Sequence, residues 1–235
     1  MMVQRLLSEL LKWFSITFGE EILILVKEQL HHQWARLFSS KNILILGAER
    51  TGKTALALFL RRGEPFEVID GDPRPPSKTA LAAIVNEKFS VQQSQWLRLQ
   101  RDVPGELALR ETWAQAIADV RPYGIIYMIN GQLKANEIQD AVSEIERSVL
   151  CHYQEGLREL ISLHIFLNFS DRWATSARQV RTTIRLAEDA LFGLVDGHET
   201  FEHLRLCVSA TQLSPHKKAW PEATRALQRF AVDLS

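Results

Sequence analysis

Short apolar runs alternate along the chain with longer segments in which apolar residues recur at every third or fourth position. The run Asn42–Leu46 is continuously apolar after its first residue, which is typical of a strand covered on both faces. Similar runs predict further strands at 81–86, 96–101, 124–129, 161–167 and 204–208, and helical patterns lie at 53–62, 107–121, 136–159, 173–193 and 219–233. This alternation predicts an α/β fold in which a mostly parallel six-stranded sheet is flanked by helices.

The first part of the chain carries a different pattern. From Val3 to Leu37, apolar residues follow each other at three- and four-residue steps with charged residues mostly between them, which predicts one amphipathic helix or two helices that meet near Gly19. We therefore expect an amphipathic helical extension at 1–40 and the main domain at 41–235. The apolar stripe has to be covered: folding back onto the main domain is favoured, binding to a protein partner comes second, and contact with a membrane surface comes last.

A loop is predicted between the first helix and the second strand of the main domain. The stretch 63–78 contains four prolines and two glycines, and this composition excludes a long helix. We expect the loop to be exposed.

Composition limits the partners and the compartment. Lys plus Arg equals Asp plus Glu at 28 each, so the chain has no overall field that would attract nucleic acid or an anionic membrane. Cys151 and Cys207 lie in apolar stretches, which predicts two buried thiols in a reducing cytosol. Charged residues interrupt the N-terminal stripe before it reaches the roughly 18 residues of a membrane span. We expect a cytoplasmic protein that binds no nucleic acid.

One segment carries a specific chemical signature. Gly47–Thr54 reads Gly-Ala-Glu-Arg-Thr-Gly-Lys-Thr and fits the pattern G-x-x-x-x-G-K-[ST] between a predicted strand and a predicted helix. Gly47 and Gly52 let the backbone curl so that successive N–H groups point at phosphate, next to the positive end of the helix. Lys53 is expected to reach the β- and γ-phosphates, and the Thr54 hydroxyl to bind Mg²⁺. The other residues of this predicted nucleotide contact are Glu49, Arg50, Thr51 and Ala55.

This loop does not specify the base, because adenine and guanine nucleotide enzymes share it. Three further segments lie at the ends of predicted strands: Asp102–Gly105, Asn168–Asp171 and Ser209–Thr211. In order and separation, they and the phosphate loop resemble the motifs of the Ras-like small GTPases, over about Asn42 to Leu234. The acidic Glu49 resembles the loop of the Arf branch. The resemblance implies a P-loop GTPase-type fold, with GTP or GDP and Mg²⁺ as ligands.

Two of the segments carry residue roles through this resemblance. In the D-x-x-G motif of the family, the Asp holds Mg²⁺ through water and the Gly N–H contacts the γ-phosphate, so Asp102 and Gly105 are expected to do the same. Asn168–Asp171 resembles the guanine-reading motif N-K-x-D, with Asp171 accepting from the ring N–H and the amino group. Phe169 replaces the lysine whose stem covers the base, but an aromatic ring can still stack on it. Altered affinity or base specificity is therefore expected.

Two further contacts follow from the same resemblance. Ser209-Ala210-Thr211 resembles the motif whose backbone N–H contacts the guanine oxygen. A hydroxyl of the first switch loop would complete the Mg²⁺ shell in the triphosphate state, and for this role Thr79 is preferred over Ser77. The alternative for either residue is local hydrogen bonding within the loop.

Hydrolysis is expected to be slow. Glu106 stands directly after the D-x-x-G segment, where Ras-like enzymes usually place a glutamine that orients the attacking water. A carboxylate accepts from water but donates nothing, and it adds negative charge near the γ-phosphate. The predicted catalytic residues are Glu106, Lys53 and Thr79, and Arg50 and Arg110 are either partial compensators or surface residues.

Two functions remain open. The first is a guanine-nucleotide switch that hydrolyses GTP slowly and binds protein partners through the loops at 72–79 and after Gly105. The second is a weakly hydrolysing or non-hydrolysing scaffold that is recruited through its N-terminal helix. Peripheral membrane contact is not favoured, because Met2 stands where the myristoyl anchor of Arf proteins requires glycine. An ATPase or small-molecule kinase is less favoured, because such enzymes lack a base reader like Asn168 with Asp171.

Overall fold

The structure is a computed structural model that describes residues 40–69, 72–74, 83–92, 95–105, 111–196, 198–214 and 220–234. The extension predicted at 1–40 therefore lies outside the described residues apart from its last position. In chain order the elements are β1 (Lys41–Gly47), α1 (Lys53–Arg62), β2 (Glu67–Ile69), β3 (Asp72–Arg74), β4 (Ala83–Gln92), β5 (Gln95–Asp102), α2 (Glu111–Val120), β6 (Gly124–Asn130), α3 (Ala135–Ser148), β7 (Ser162–Asn168), α4 (Ser170–Trp173), α5 (Ala177–Val195), β8 (Arg205–Ala210) and α6 (Pro221–Asp233).

Six strands form the main sheet in the order β4-β5-β1-β6-β7-β8. β1 pairs in parallel with β5 and β6, β6 with β7, and β7 with β8, whereas β4 runs antiparallel to β5. The predicted mostly parallel six-stranded sheet is confirmed, with five parallel strands and one antiparallel edge strand. Because parallel strands share one direction, the carboxyl ends of β1, β5, β6, β7 and β8 meet at one edge of the sheet.

Helices cover both faces of the sheet, and β1 has apolar side chains on both. Leu44 and Leu46 belong to the core cluster that includes residues of α2, α3 and α5. Ile43 and Ile45 belong to the second cluster, with residues of α1 and α6. The four side chains are buried, which explains why the run is continuously apolar.

The long helix predicted at 136–159 is wrong in its second half. α3 ends at Ser148, and the chain continues through a 3₁₀ turn at Leu150–His152 and a π turn at Tyr153–Leu157. Gly156 lies so close to α2 that a Cβ atom there would be 2.7 Å from the carbonyl carbon of Ile117. The helix prediction failed here because the apolar periodicity of a segment carries no information on such a backbone contact with a neighbouring helix.

The region between α1 and β5 also differs from the prediction. Part of the proline-rich loop forms a short antiparallel pair, β2 with β3, while 70–71 and 75–78 lie outside the described residues. β4 continues to Gln92, beyond the strand predicted at 81–86, because its second half pairs with β5.

The prediction of two buried thiols is wrong. Cys151 is exposed and Cys207 is half-buried. Within the part of the chain that the structure describes, no helix combines the length and the apolar character needed to cross a membrane.

A buried histidine lies on β7, next to the edge strand β8. His164 on β7 is fully buried, with its Nε2 2.8 Å from Asp233 Oδ2 on α6 and its ring edge-on to Phe230 at 5.1 Å between centroids. Its Nδ1 has no hydrogen-bond partner among the described residues. Burial lowers the pKa of His164, and the neighbouring Asp233 carboxylate offsets part of this effect while Arg229 adds to it. The ring is therefore neutral in the folded protein near neutral pH.

This lowered pKa predicts a pH-dependent stability. Above the ordinary histidine pKa of 6.5, the His164 ring is neutral in both the folded and the unfolded state and stability is unaffected. Below 6.5 the unfolded chain takes up a proton that the folded chain resists, so stability falls, by at most about 1.4 kcal/mol per pH unit for one proton. Urea unfolding between pH 7.5 and pH 5 should show a smaller loss in His164→Gln than in wild type. The exposed His198, as His198→Gln, is the control, and equal slopes in all three proteins would contradict the assignment.

Candidate phosphate and nucleotide site

The loop between β1 and α1 has a backbone that few residue types can adopt. Gly47, Arg50 and Gly52 have positive φ angles of 137°, 60° and 98°. A side chain at Gly47 would collide with the carbonyl oxygen of Met128 on β6, so glycine is required there for space as well as for conformation. The loop thus curls at the carboxyl edge of the sheet, between two parallel strands.

The loop leads directly into a helix whose N-terminus suits an anion. Gly52 is the N-cap of α1 and brings no side chain to cap it, and the first turn contains no acidic residue. The ammonium group of Lys53 donates to the Ala48 carbonyl oxygen at 2.8 Å, and the Thr51 hydroxyl donates to the same oxygen at 2.9 Å. Lys53 is only 7% exposed. A largely buried ammonium group beside a helix N-terminus is the chemistry that binds phosphate.

The segment after β5 lies directly against this loop. Val103, Pro104 and Gly105 are buried. A Cβ atom at Gly105 would collide with Lys53 Nζ and would lie 2.6 Å from the carbonyl carbon of Ala48. The structure therefore brings together Gly105 and Lys53, which the sequence placed more than 50 positions apart.

The segment after β7 reaches the same loop through a buried side chain. Asn168 is fully buried, and its Nδ2 donates to the Thr51 carbonyl oxygen at 3.0 Å. A side chain at Gly52 would collide with this amide. The Thr211 hydroxyl, also fully buried, lies 3.5 Å from Asn168 Oδ1. One amide thus joins the phosphate loop to the segments that follow β7 and β8.

The segments after β7 and β8 are also joined by their backbones. Ser170 N–H donates to the Thr211 carbonyl oxygen at 3.0 Å, and Thr211 N–H donates to Leu167 at 2.9 Å. Ser209 is 9% exposed, and Ala210 ends β8. The predicted Ser209–Thr211 segment therefore lies beside Asn168.

Phe169 adopts a conformation that is unusual for an aromatic residue. Its φ is 62°, in the left-handed region, and it caps the short helix α4. The ring is half-buried, and the Arg172 guanidinium lies 5.3 Å from its centroid, a cation–π contact. Asp171 on the same turn is exposed.

The donors predicted for Mg²⁺ are described only in part. Thr54 lies half-buried in the first turn of α1, and Asp102 is the last residue of β5. A hydroxyl and a carboxylate, with water completing the shell, are the oxygen ligands that Mg²⁺ prefers, so the donor set fits this ion. Thr79 lies outside the described residues. No cluster of three His, Cys, Asp or Glu side chains that could hold a metal occurs where the structure describes the chain.

The remaining predicted residues divide into two groups. Glu49 and Arg50 are exposed at the loop tip and pair with each other at 3.4 Å, and Ala55 lies half-buried in the first turn of α1. Glu106, Ser77 and Arg110 lie outside the described residues.

Three residues that were not predicted from the sequence contact the segments of this site: Trp113, Gly131 and Trp173. The sequence offers little signal for them, because an isolated tryptophan in a helical pattern is normally a core residue.

Comparison with solved structures identifies the fold. No family model matches the sequence, and no curated protein matches it. The SRb-GTP/SRX complex of the signal recognition particle receptor from Chaetomium thermophilum has a TM-score of 0.56 at 14% identity, over 81% of this chain and 99% of that chain. The Arl6 BBS3 small GTPase from Trypanosoma brucei with the bound analogue GppNp has a TM-score of 0.52 at 14% identity, over 83% and 99%. The chain has an Arf-like small GTPase fold.

The chain is also similar to an archaeal protein. The GTP-binding protein from Sulfolobus solfataricus in complex with GDP has a TM-score of 0.52 at 13% identity, over 96% of this chain and 64% of that chain. The fold of the chain is thus similar to that of GTP-binding proteins, as the motifs predicted.

The buried amide of Asn168 predicts a large effect of a small substitution. Asn168→Asp removes the N–H donor to Thr51 and places a carboxylate against a carbonyl oxygen in the interior. We expect the free energy of unfolding to fall by about 2 kcal/mol or more, since a buried acceptor is left unsatisfied. Urea unfolding of the nucleotide-free protein measures it. Asn136→Asp, at an exposed position in the first turn of α3, is the matched control, and an equal midpoint for the two variants would contradict the bond.

Proposed function

We propose that the chain binds a guanine nucleotide together with Mg²⁺ at the loop Gly47–Thr54 and works as a nucleotide-dependent switch for a protein partner. One observation carries the proposal: the buried Lys53 ammonium, the backbone of Gly105 and the amide of Asn168 converge on the same loop. Three separate strand ends meeting there fit a ligand with phosphates at one side and a base at the other.

Each end of the ligand would have its own set of residues. The loop N–H groups and Lys53 would hold the phosphates, because the helix N-terminus and the ammonium group both favour negative charge. The Mg²⁺ ion would be held by Thr54, by Asp102 through water, and in the triphosphate state by Thr79. Bound Mg²⁺ would neutralise charge on the β- and γ-phosphates.

The base would lie at the segments after β7 and β8. Asp171 would accept from guanine, and the backbone at Ala210 would contact the guanine oxygen. Phe169 would offer a ring for stacking, with Arg172 already packed on it. Because a stacking ring favours every base, guanine selectivity would depend mainly on the exposed Asp171.

Titration calorimetry with GDP, a non-hydrolysable GTP analogue and ADP in Mg²⁺ tests nucleotide binding. Wild type should bind the guanine nucleotides, and Lys53→Ala should weaken both by at least about tenfold, since it removes a charge-assisted contact. Asp171→Ala should weaken guanine nucleotides and leave ADP unchanged. Lys134→Ala, at an exposed helix start, is the matched control. Equal or tighter binding of ADP by wild type would place the chain outside guanine-nucleotide proteins.

We also propose that hydrolysis is slow. The proposal rests on Glu106, which would add a negative charge beside the γ-phosphate and offers no donor to orient water. Glu106→Gln supplies the donor and removes the charge, so the single-turnover rate of GTP hydrolysis should rise by about tenfold or more. Brisk hydrolysis by wild type that is lost in Glu106→Gln would show the opposite role for this residue. Glu111→Gln, at the exposed start of α2, is the control.

The partner would be a protein. One of the solved structures similar to this chain is a complex of SRb-GTP with a second protein, SRX. In this chain, the loop at 72–79, the segment after Gly105 and the N-terminal extension are the proposed contacts with a partner. A weakly hydrolysing scaffold stays as the second candidate, because Glu106 and Phe169 both depart from the family pattern.

A further inference from the structure

Two buried tryptophans donate hydrogen bonds to the backbone of the candidate site. Trp113 on α2 is fully buried, and its Nε1 donates to the Pro104 carbonyl oxygen at 2.7 Å. Trp173 on α4 is 5% exposed, and its Nε1 donates to the Asn168 carbonyl oxygen at 3.0 Å. Both acceptors lie at the carboxyl edge of the sheet, in segments that reach the phosphate loop.

The Trp113 contact acts next to the ammonium group of the loop. Pro104 precedes Gly105, whose backbone lies against Lys53 Nζ and Ala48. The Gly105 N–H is expected to contact the γ-phosphate, which GDP lacks. The indole is held in turn by an edge-on contact with Tyr127, at 6.1 Å between ring centroids. A rigid donor therefore fixes the backbone beside the place where a terminal phosphate would lie.

The Trp173 contact acts on a different part of the loop. The Asn168 carbonyl oxygen accepts from Trp173 and also from Gly131 N–H at 3.1 Å. Gly131 leaves the space for the indole, because a Cβ atom there would lie 2.5 Å from Trp173 Cε2. With its main chain held in this way, Asn168 directs its amide to Thr51. The indole thus fixes the segment that carries the proposed base contacts.

We propose that Trp113 and Trp173 are positioning residues that act on separate halves of the nucleotide site. Trp113 sets the affinity for the terminal phosphate, and Trp173 sets the affinity for the nucleoside part, whatever the number of phosphates. The inference rests on the proposed nucleotide binding. Tryptophans that served packing alone would change stability when replaced, without separating GTP from GDP.

The test compares the affinities of four proteins for GDP and for a non-hydrolysable GTP analogue by calorimetry. Trp113→Phe removes one N–H donor, and we expect it to weaken the analogue about fivefold and to leave GDP unchanged. Trp173→Phe should weaken both ligands about fivefold, so that their ratio stays as in wild type. Trp220→Phe is the matched control: its Nε1 donates to the Ser214 carbonyl oxygen at 3.0 Å, a bond outside the proposed contacts, and neither affinity should change.

A second variant and a second measurement cover the case in which a phenylalanine variant fails to fold. Gly131→Ala keeps Trp173 but displaces its indole, so it should weaken both ligands as Trp173→Phe does. In wild type labelled with ¹⁵N-tryptophan, the Trp173 indole N–H resonance should shift with either ligand. The Trp113 resonance should shift only with the analogue. Single replacement assigns four of the six tryptophans, and of the remaining two resonances the one that shifts in Gly131→Ala belongs to Trp173.

The outcomes separate this inference from the proposed function. Wild type that binds no guanine nucleotide overturns both. Guanine binding with the same GTP-to-GDP ratio in wild type and Trp113→Phe, or with unchanged affinities in Trp173→Phe and Gly131→Ala, overturns the inference alone. A loss of stability without a change in affinity likewise assigns both indoles to packing.

Discussion

The candidate site depends on backbone segments that approach each other more closely than side chains would allow. Gly47 lies against the Met128 carbonyl, Gly52 against the Asn168 amide, and Gly105 against Lys53 and Ala48. Any Cβ atom at these three positions would collide with its neighbour. The phosphate loop can therefore take its curled form only because adjacent strands end beside glycines, and the positive end of α1 is left facing the space in front of them.

Electrostatics and hydrogen bonding then act on this backbone. Lys53 is buried, and its ammonium group is held by a hydrogen bond to the loop that it belongs to. The exposed tip is different, because Glu49 and Arg50 compensate each other there in solvent. The fixed Lys53 donor lies inside the loop, whereas the charges of Glu49 and Arg50 cancel at its tip. This arrangement favours binding of phosphate within the loop rather than at the tip.

The polar groups behind the site are arranged as a second layer. Asn168 bonds to the phosphate loop with its side chain and accepts two N–H donors with its carbonyl oxygen. Further back, His164 on the same strand joins β7 to the end of α6 through Asp233. β7 is therefore the element that connects the site to the interior. A buried polar group in this strand lowers the free energy of unfolding unless it is hydrogen-bonded. The stability of the protein therefore depends on the geometry of these bonds.

The α/β class, the approximate positions of the six strands of the main sheet and the glycine-containing loop Gly47–Thr54 could all be predicted from the sequence alone. These follow from local patterns: apolar runs for strands covered on both faces, three- and four-residue periodicity for helices, and glycines at fixed spacing. Tertiary structure alone decided which distant residues meet. The break after α3 at Gly156, the contact of Gly105 with Lys53 and the bond from Asn168 to Thr51 all depend on neighbours far along the chain. No local pattern records such contacts, because packing between elements arises only when the sheet has brought them together.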